Sequence, residues 1–296
     1  MNPSDSRSGL TDTIRKRAVR VTDAAGNVVQ AIAIADAKSA ASEGNAGDVP
    51  IGDVYCRALE EEIWPLCYIR NRGSISSREQ LRLAQSRVAI VGAGGLGGYV
   101  IELLARVGIG FLAVIDSDGF DESNLNRQLL SDLSTMGRNK ADMAKQRIEA
   151  INPAVSVSAH AVRMTDENAT ALLEGCHAAV DCLDNLESRS LLYNTCRLLH
   201  IPMIHGTISG FEGRLMTLLP EDPLREDLFD AGGGATAESV MGTPPIAPAV
   251  IGSLQAMEVI KVLLGRGRPF QGRMLWADLE NGVLEPFSFS PVYRDL

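Results

Sequence analysis

The sequence predicts an α/β fold with a mostly parallel sheet flanked by helices and an antiparallel C-terminal extension of that sheet. Three observations predict it. Short β-branched runs alternate with amphipathic segments from Arg87 to His205. A glycine-rich turn directly follows the first of these runs. The rhythm then changes after Gly206, where Gly213–Leu219 reads as an antiparallel strand. A βαβ rhythm of this kind implies parallel strands joined by right-handed crossovers.

Taken in order, residues from Met1 to about Lys16 read as a polar tail. Two β-branched runs on either side of Asp23–Asn27 predict a hairpin. Ser42–Asp48 has a linker's composition, and Asp53–Glu62 a helix's. Ser76, with Glu79 three residues on, has the form of a capping box for a helix ending near Gln85. Val88–Val91 is a short buried strand, and Gly97–Val107 a helix with Val100, Ile101, Leu104 and Val107 on one face. Strands are expected at Phe111–Ile115, Val155–Val162, Ala178–Cys182 and Pro202–His205. Helices are expected at Asn139–Ala150, at Asp166–Leu173 with Thr165 as cap, and at Leu186–Leu199. The stretch Asp230–Pro248, rich in Gly, Ala and Pro, reads as a mobile loop. Val250–Leu264 reads as an amphipathic helix, and Arg273–Ala277 and Val283–Phe287 as closing strands. This places an N-terminal extension at 1–65 and a main domain at 66–296, with its nucleotide-binding half at about 86–205.

Bulk properties narrow the function. A formal charge of −9 over 296 residues opposes polyanion backbones, so nucleic acid is a poor partner. The five cysteines (Cys56, Cys67, Cys176, Cys182, Cys196) include no Cys-x-x-Cys pair, which argues against a disulfide framework and a zinc knuckle. The N-terminus lacks an apolar signal core, and no apolar run has the length expected of a membrane span. These features predict a cytoplasmic protein with no membrane association.

The chemistry begins at Val88–Gly97. Gly92, Gly94 and Gly97 fit a dinucleotide fingerprint in a Rossmann-like strand–turn–helix, with Gly95 inside the same turn. The first glycine makes the turn, the second lets backbone approach phosphate, and the third permits close helix packing. The helix N-terminus presents N–H groups to an anion. Asp116 ends the next strand, nineteen residues after Gly97, where a carboxylate meets ribose hydroxyls. This pattern alone is compatible with NAD, FAD or ATP.

The following segment separates them. After Asp116 come Asp118, Asn124, Arg127 and Gln128, then Lys140. Two cations near a phosphate loop suit a triphosphate better than a pyrophosphate bridge. They can also stabilise charge as pyrophosphate departs. Val180–Asn185 places Asp181, Asp184 and Asn185 at the C-terminal end of a predicted strand, where open α/β sheets put their ligands. A carboxylate there can hold Mg²⁺ against phosphate oxygens. A plain alternative is that Asp181 or Asp184, Asp184 especially, caps the next helix.

The ordered motifs GAGGLG, DSDGFDESNLNRQ, GRNK and DCLDN resemble the ThiF/MoeB/HesA family of adenylating enzymes, related to ubiquitin-activating enzymes. The likeness covers roughly Tyr68 to Leu264. It implies adenylation of the C-terminal carboxylate of a small β-grasp sulfur-carrier protein ending in diglycine, with ATP and Mg²⁺ and with release of pyrophosphate. Under this resemblance Asp116 binds ribose, Asn124 and Arg127 hold phosphates with Gln128 beside them, Lys140 follows the separating phosphates, and Asp184 ligates Mg²⁺. Tyr68-Ile-Arg70-Asn resembles the family's N-terminal segment, whose arginine reaches the other subunit's ATP, so Arg70 implies a homodimer.

Two departures qualify the resemblance. Many relatives carry two zinc-binding Cys-x-x-Cys pairs in the C-terminal part, and no cysteine follows Cys196 here, so no zinc site is expected. Asp230–Pro248 also lacks the loop cysteine of thioester- or persulfide-forming relatives, which points to an enzyme that stops at the acyl-adenylate. Cys182 reads as a small buried strand residue. Two alternatives remain on the sequence: a nicotinamide- or flavin-dependent oxidoreductase, which leaves Asn124, Arg127, Lys140 and Asp184 without roles, and a non-catalytic scaffold of the same fold.

Overall fold

The structure is a computed structural model that describes residues 3–43, 49–222 and 241–288. It divides into two compact units, one of 1–86, 105–111 and 149–156, and a second of 87–104, 112–148 and 157–296.

The first unit opens with α1 (Pro3–Arg17), where the sequence reads as a tail. The helix has weak sequence periodicity because few of its side chains are apolar. What fixes it is tertiary: Ile14 is fully buried among Ile32, Ala37, Val54 and Trp64. Arg15 pairs with Glu61, and Arg17 with Asp36 and Glu43. The expected hairpin is present as β1 (Val19–Thr22) and β2 (Val28–Ile32), antiparallel with Val19 opposite Ala31. Its turn is organised by Asp23, whose Oδ1 accepts from the N–H groups of Ala25 and Asn27, both at 2.9 Å. Gly26 takes the left-handed conformation the turn needs, φ 87°. Next come α2 (Ile34–Glu43), α3 (Ile51–Glu60), the short strand β3 (Trp64–Pro65), parallel to β2, and a 3-10 turn over Leu66–Asn71. Helix α4 (Ser77–Ala84) carries the capping box read from the sequence, with Ser76 and Glu79 satisfying each other's backbone N–H.

The second unit is built on eight strands in the order β11-β10-β9-β8-β7-β4-β5-β6. These are β4 (Arg87–Val91), β5 (Phe111–Ile115), β6 (Ser156–His160), β7 (Ala178–Asp181), β8 (Met203–Ser209), β9 (Glu212–Leu218), β10 (Arg273–Asp278) and β11 (Val283–Ser288). β4, β7 and β8 run parallel, while β8 to β11 are joined antiparallel, so the change of rhythm after Gly206 marks the change of pairing. The helices are α5 (Gly95–Val107), α6 (Lys140–Ile151), α7 (Ala169–Leu173), α8 (Leu186–Leu198) and α9 (Ile246–Leu264).

Three expectations change. Helix α7 is five residues long and Thr165 is not its cap; Asn168 instead bonds back to the Thr165 N–H at 2.8 Å, making a turn before the helix. Helix α9 starts four residues before the expected Val250, because Pro248 is tolerated in a first turn, where N–H groups have no intrahelical acceptor. Of the expected loop, 230–240 lie outside the described residues. Also, α9 is long and apolar enough, by length and composition alone, to cross a membrane, against the sequence expectation. It packs within the second unit: a Cβ on Gly213 would meet the Ile251 side chain at 2.2 Å, and one on Gly252 would meet Leu96 O at 2.9 Å. Its buried Glu258 accepts from Thr217 Oγ1 at 2.6 Å and from the Phe270 N–H at 2.8 Å.

Candidate active site

The site is built where β4 turns into α5. Gly92 has φ 97°, and a Cβ there would lie 2.5 Å from Cys182 O. A Cβ on Gly97 would sit 1.9 Å from Gly92 O. These two glycines are therefore demanded by the fold, one by conformation and both by close approach. The Cys182 Cβ lies within 3.5 Å of both glycine Cβ positions, so the two glycines together make room for that residue. Its thiol is held well above its ordinary value by burial and by the Asp181 carboxylate. Gly94 and Gly95 differ: their Cβ positions meet only side chains, Gln128 at 3.5 Å and Pro248 at 3.6 Å.

The residues after β5 fold back over this turn. Asp116 Oδ2 accepts from the Ala93 N–H at 2.7 Å, and Oδ1 from the Asp118 N–H at 2.8 Å. Burial raises the Asp116 carboxyl above its ordinary value of 3.8, against the lowering effect of these two bonds and of Lys140. Asp121 and Asn124 form a capping box around a short 3-10 turn, with Asn124 buried. Asp121 titrates low, chiefly because Ser123 donates to it. The turn delivers Arg127, whose Nη1 donates to Ser123 O and Asn126 Oδ1, both at 2.9 Å, and whose Cγ lies 3.9 Å from a Cβ built on Gly95. Gln128 is 7 % exposed, lies against Gly94, and its Oε1 has no hydrogen-bond partner among the described residues. Lys140 begins α6, with Nζ 3.3 Å from Asp118 Oδ2. Asn139 Nδ2 ties the segment by donating to the carbonyls of Asp116 and Asp118, both at 3.1 Å.

At the end of β7 the loop to α8 carries Asp184, which is exposed and accepts from Asn185 Nδ2 at 3.3 Å. The cap of α8 is Asn185, whose Oδ1 accepts from the Ser188 N–H at 2.9 Å. The alternative reading of Asp184 as that cap is thereby corrected, and Asn185, expected at the nucleotide, has a local structural task. Asp181, which the sequence also offers as a cap of that helix, is not the cap either. It is fully buried and bonded to His205 and Arg189.

All these residues belong to the second unit; Arg70 belongs to the first, exposed in the 3-10 turn. Among the described residues no three His, Cys, Asp or Glu side chains gather as a metal cage. A lone carboxylate fits Mg²⁺ held mainly by phosphate oxygens and water. The helix N-terminus, the side chain of Arg127 over Gly95 and the Gln128 amide against Gly94, through its N–H donors, fit a bound phosphate chain.

A model of the ThiF family matches residues 68–291. The chain is 37% identical over 217 residues to the SAMP-activating enzyme E1 of Haloferax volcanii, spanning 72% of this chain and 80% of that protein. It is 38% identical over 208 residues to the sulfur carrier protein adenylyltransferase of Thermus thermophilus, spanning 67% of this chain and 77% of that one. The crystal structure of E. coli MccB with ATP superposes with a TM-score of 0.63 at 20% identity, over 86% of this chain and 84% of that chain, a likeness of fold. With more than half its length matched by one family model and two relatives above 30% identity, the chain belongs to the ThiF family.

Proposed function

We propose that this protein is an adenylyltransferase that activates the C-terminal carboxylate of a small ubiquitin-like sulfur-carrier protein with ATP. The observation that carries the reading is the meeting of Arg127 and Gln128 with Gly94 and Gly95 at the N-terminus of α5, with Lys140 anchored in the same segment. The names of the relatives, a SAMP-activating enzyme and a sulfur carrier adenylyltransferase, support the same reaction class.

In this reading the carrier's carboxylate oxygen attacks the α-phosphorus of ATP, the bond from that phosphorus to the bridging oxygen breaks, and pyrophosphate leaves. The nucleophile is already ionised near neutrality, so no general base is required. The difficulty is the approach of anion to anion. Arg127 and Lys140 offset it with fixed cations, and Gln128 and the glycine backbone hold the phosphates in line. Asn124 sets the turn that presents Arg127. Asp116 faces the ribose, with Asp118 holding Lys140 in place. Mg²⁺, when bound, neutralises phosphate charge, and Asp184 is the residue that would hold it. Residues 66–296 form the catalytic part. Arg70 completes the site of the other subunit in a cytoplasmic homodimer, and the carrier ends in diglycine.

The test is exchange of labelled pyrophosphate into ATP in the presence of a diglycine-ended β-grasp protein. Carrier-dependent exchange is expected, with loss in Arg127→Ala. Absence of exchange together with tight NAD binding would favour a hydride-transfer enzyme instead. ATP binding without exchange would favour a scaffold.

A further inference from the structure

The loop that carries Asp184 is gripped from beneath by three buried polar side chains that the proposed chemistry does not use. Asp181, the last residue of β7, has a fully buried side chain. Its Oδ1 accepts from the Leu183 N–H at 3.0 Å. Its Oδ2 accepts from His205 Nδ1 at 2.6 Å and lies 3.3 Å from Arg189 Nε. Arg189, in α8 and 7 % exposed at its side chain, also donates from Nη2 to Leu183 O. Both backbone polar groups of Leu183 are thus held by side chains of one ion pair. From the other side, Gln255 Nε2 of α9 donates to Asp181 O at 2.7 Å. Gln255 is itself wedged on Gly206, where a Cβ would meet its amide at 2.5 Å.

We propose that Asp181 and Arg189, braced by His205, are positioning residues. They fix the Cys182–Asn185 loop, and with it the Asp184 carboxylate, before any ligand binds. Burying an ion pair is costly unless its remaining donors and acceptors are used. Here one oxygen of the carboxylate, Asp181 Oδ1, and one nitrogen of the guanidinium, Arg189 Nη2, are used on the backbone of the one residue that precedes Asp184. The same three side chains replaced by apolar ones would fill the space but leave the Leu183 N–H and C=O without these partners. The guanidinium is needed for its fork: one nitrogen faces the carboxylate while another reaches the carbonyl, which a lysine ammonium cannot do from one position. A carboxylate held in place loses less freedom when it engages a charged ligand, so the arrangement favours tight use of a metal–nucleotide complex.

The inference rests on the reading of Asp184 as the Mg²⁺-facing residue, and the test separates the two. Hydrogen exchange of ligand-free protein, read on peptides covering 180–188, measures the grip alone. Calorimetric titration with ATP in excess Mg²⁺ and with ATP in EDTA measures its use. Arg189→Lys is expected to speed exchange of the loop amides at least tenfold. The same variant should weaken binding of the Mg²⁺ complex about tenfold, while binding of metal-free ATP stays within twofold. Loop protection and Mg²⁺-dependent binding both within twofold of the parent would overturn the proposal. Asp181→Asn, which keeps the shape of the side chain, gives the same two readouts should Arg189→Lys fail to fold. Asp184→Ala is the control. It should retain loop protection and lose the gain in affinity that Mg²⁺ confers. If it keeps that gain, the assignment of Asp184 fails while the grip on the loop stands or falls by hydrogen exchange.

Discussion

Lys140 Nζ lies 3.3 Å from Asp118 Oδ2, and the backbone repeats the link, with the Lys140 N–H donating to Asp118 O at 2.9 Å. The lysine is buried to 8 % exposure at the start of α6, while the Asp118 side chain is largely exposed. The pair therefore holds a cation beside the glycine turn, with its carboxylate partner open to solvent. Because Asp118 is exposed, the ion pair itself adds little stability. Its consequence is placement.

Lys140→Met should reduce pyrophosphate exchange by about 10²–10³, the usual loss when one donor to developing charge is removed. Asp118→Asn should cost far less, because the backbone link and Asn139 still hold the segment. Equal losses in the two variants would mean that Asp118 does more than hold the lysine. Steady-state exchange rates at saturating ATP make the comparison.

Asp116 makes a prediction with a definite sign. Its carboxyl is raised above 3.8 by burial, so the folded protein binds this proton more readily than the unfolded chain. Above the folded value the ionised group weakens the fold, and as pH falls through the interval down to 3.8 the penalty is relieved. The stability of the parent relative to Asp116→Asn should therefore rise as pH falls through that interval, and be constant below it. Denaturant titrations of both proteins from neutral pH downward read this directly; a relative stability that falls with pH would contradict it. The variant should also weaken ATP binding, because an amide cannot hold the Ala93 and Asp118 N–H groups together.

Much of this was written locally in the chain. The Asp23 turn, the Ser76–Glu79 capping box and the Gly92–Gly97 turn each depend on residues within ten positions of one another. Their side chains and conformational needs name the structure directly. What was not legible depends on tertiary contact. Among its described side chains, helix α1 has one fully buried apolar anchor, Ile14, and its sequence has no stripe that a periodic reading could find. Asp181, Arg189 and His205 meet only once β7 and β8 pair and α8 returns over them. In the sequence, Asp181 is one of two similar acids in DCLDN; the family resemblance assigns the metal to Asp184 and leaves its neighbour only the reading of a helix cap, which Asn185 fills instead. Asn185 shows the reverse case, a motif residue to which the structure gives a local task, the cap of α8, that the sequence did not name.

The four glycines of the turn separate fold from binding. Gly97→Ala drives a Cβ to 1.9 Å from Gly92 O, a backbone atom that cannot step aside, and should cost about 1–3 kcal/mol of stability as an overpacked site. Gly94→Ala meets nothing nearer than the Gln128 amide at 3.5 Å and should leave the thermal midpoint unchanged. Its methyl group would instead stand where phosphate approaches the backbone, so ATP affinity should drop. Parallel thermal unfolding and nucleotide titration test both halves. A Gly94→Ala protein that binds ATP normally would move the phosphate elsewhere.

At Gln128, stability and function should oppose each other. Its Oε1 is buried without a partner among the described residues, a state that costs about 1–3 kcal/mol for a polar group. A leucine has a similar volume and no such atom. Gln128→Leu should therefore unfold at a higher temperature than the parent in the absence of nucleotide. It should bind ATP about tenfold more weakly, a difference of about 1.4 kcal/mol, since the amide is no longer there to meet the ligand. The two effects come from the two ends of one amide: the buried Oε1 costs stability, and the Nε2 donor serves the phosphates. Unchanged ATP affinity in a more stable variant would leave the amide without a role at the nucleotide. A less stable variant would mean that the carbonyl is satisfied in solution before ATP binds.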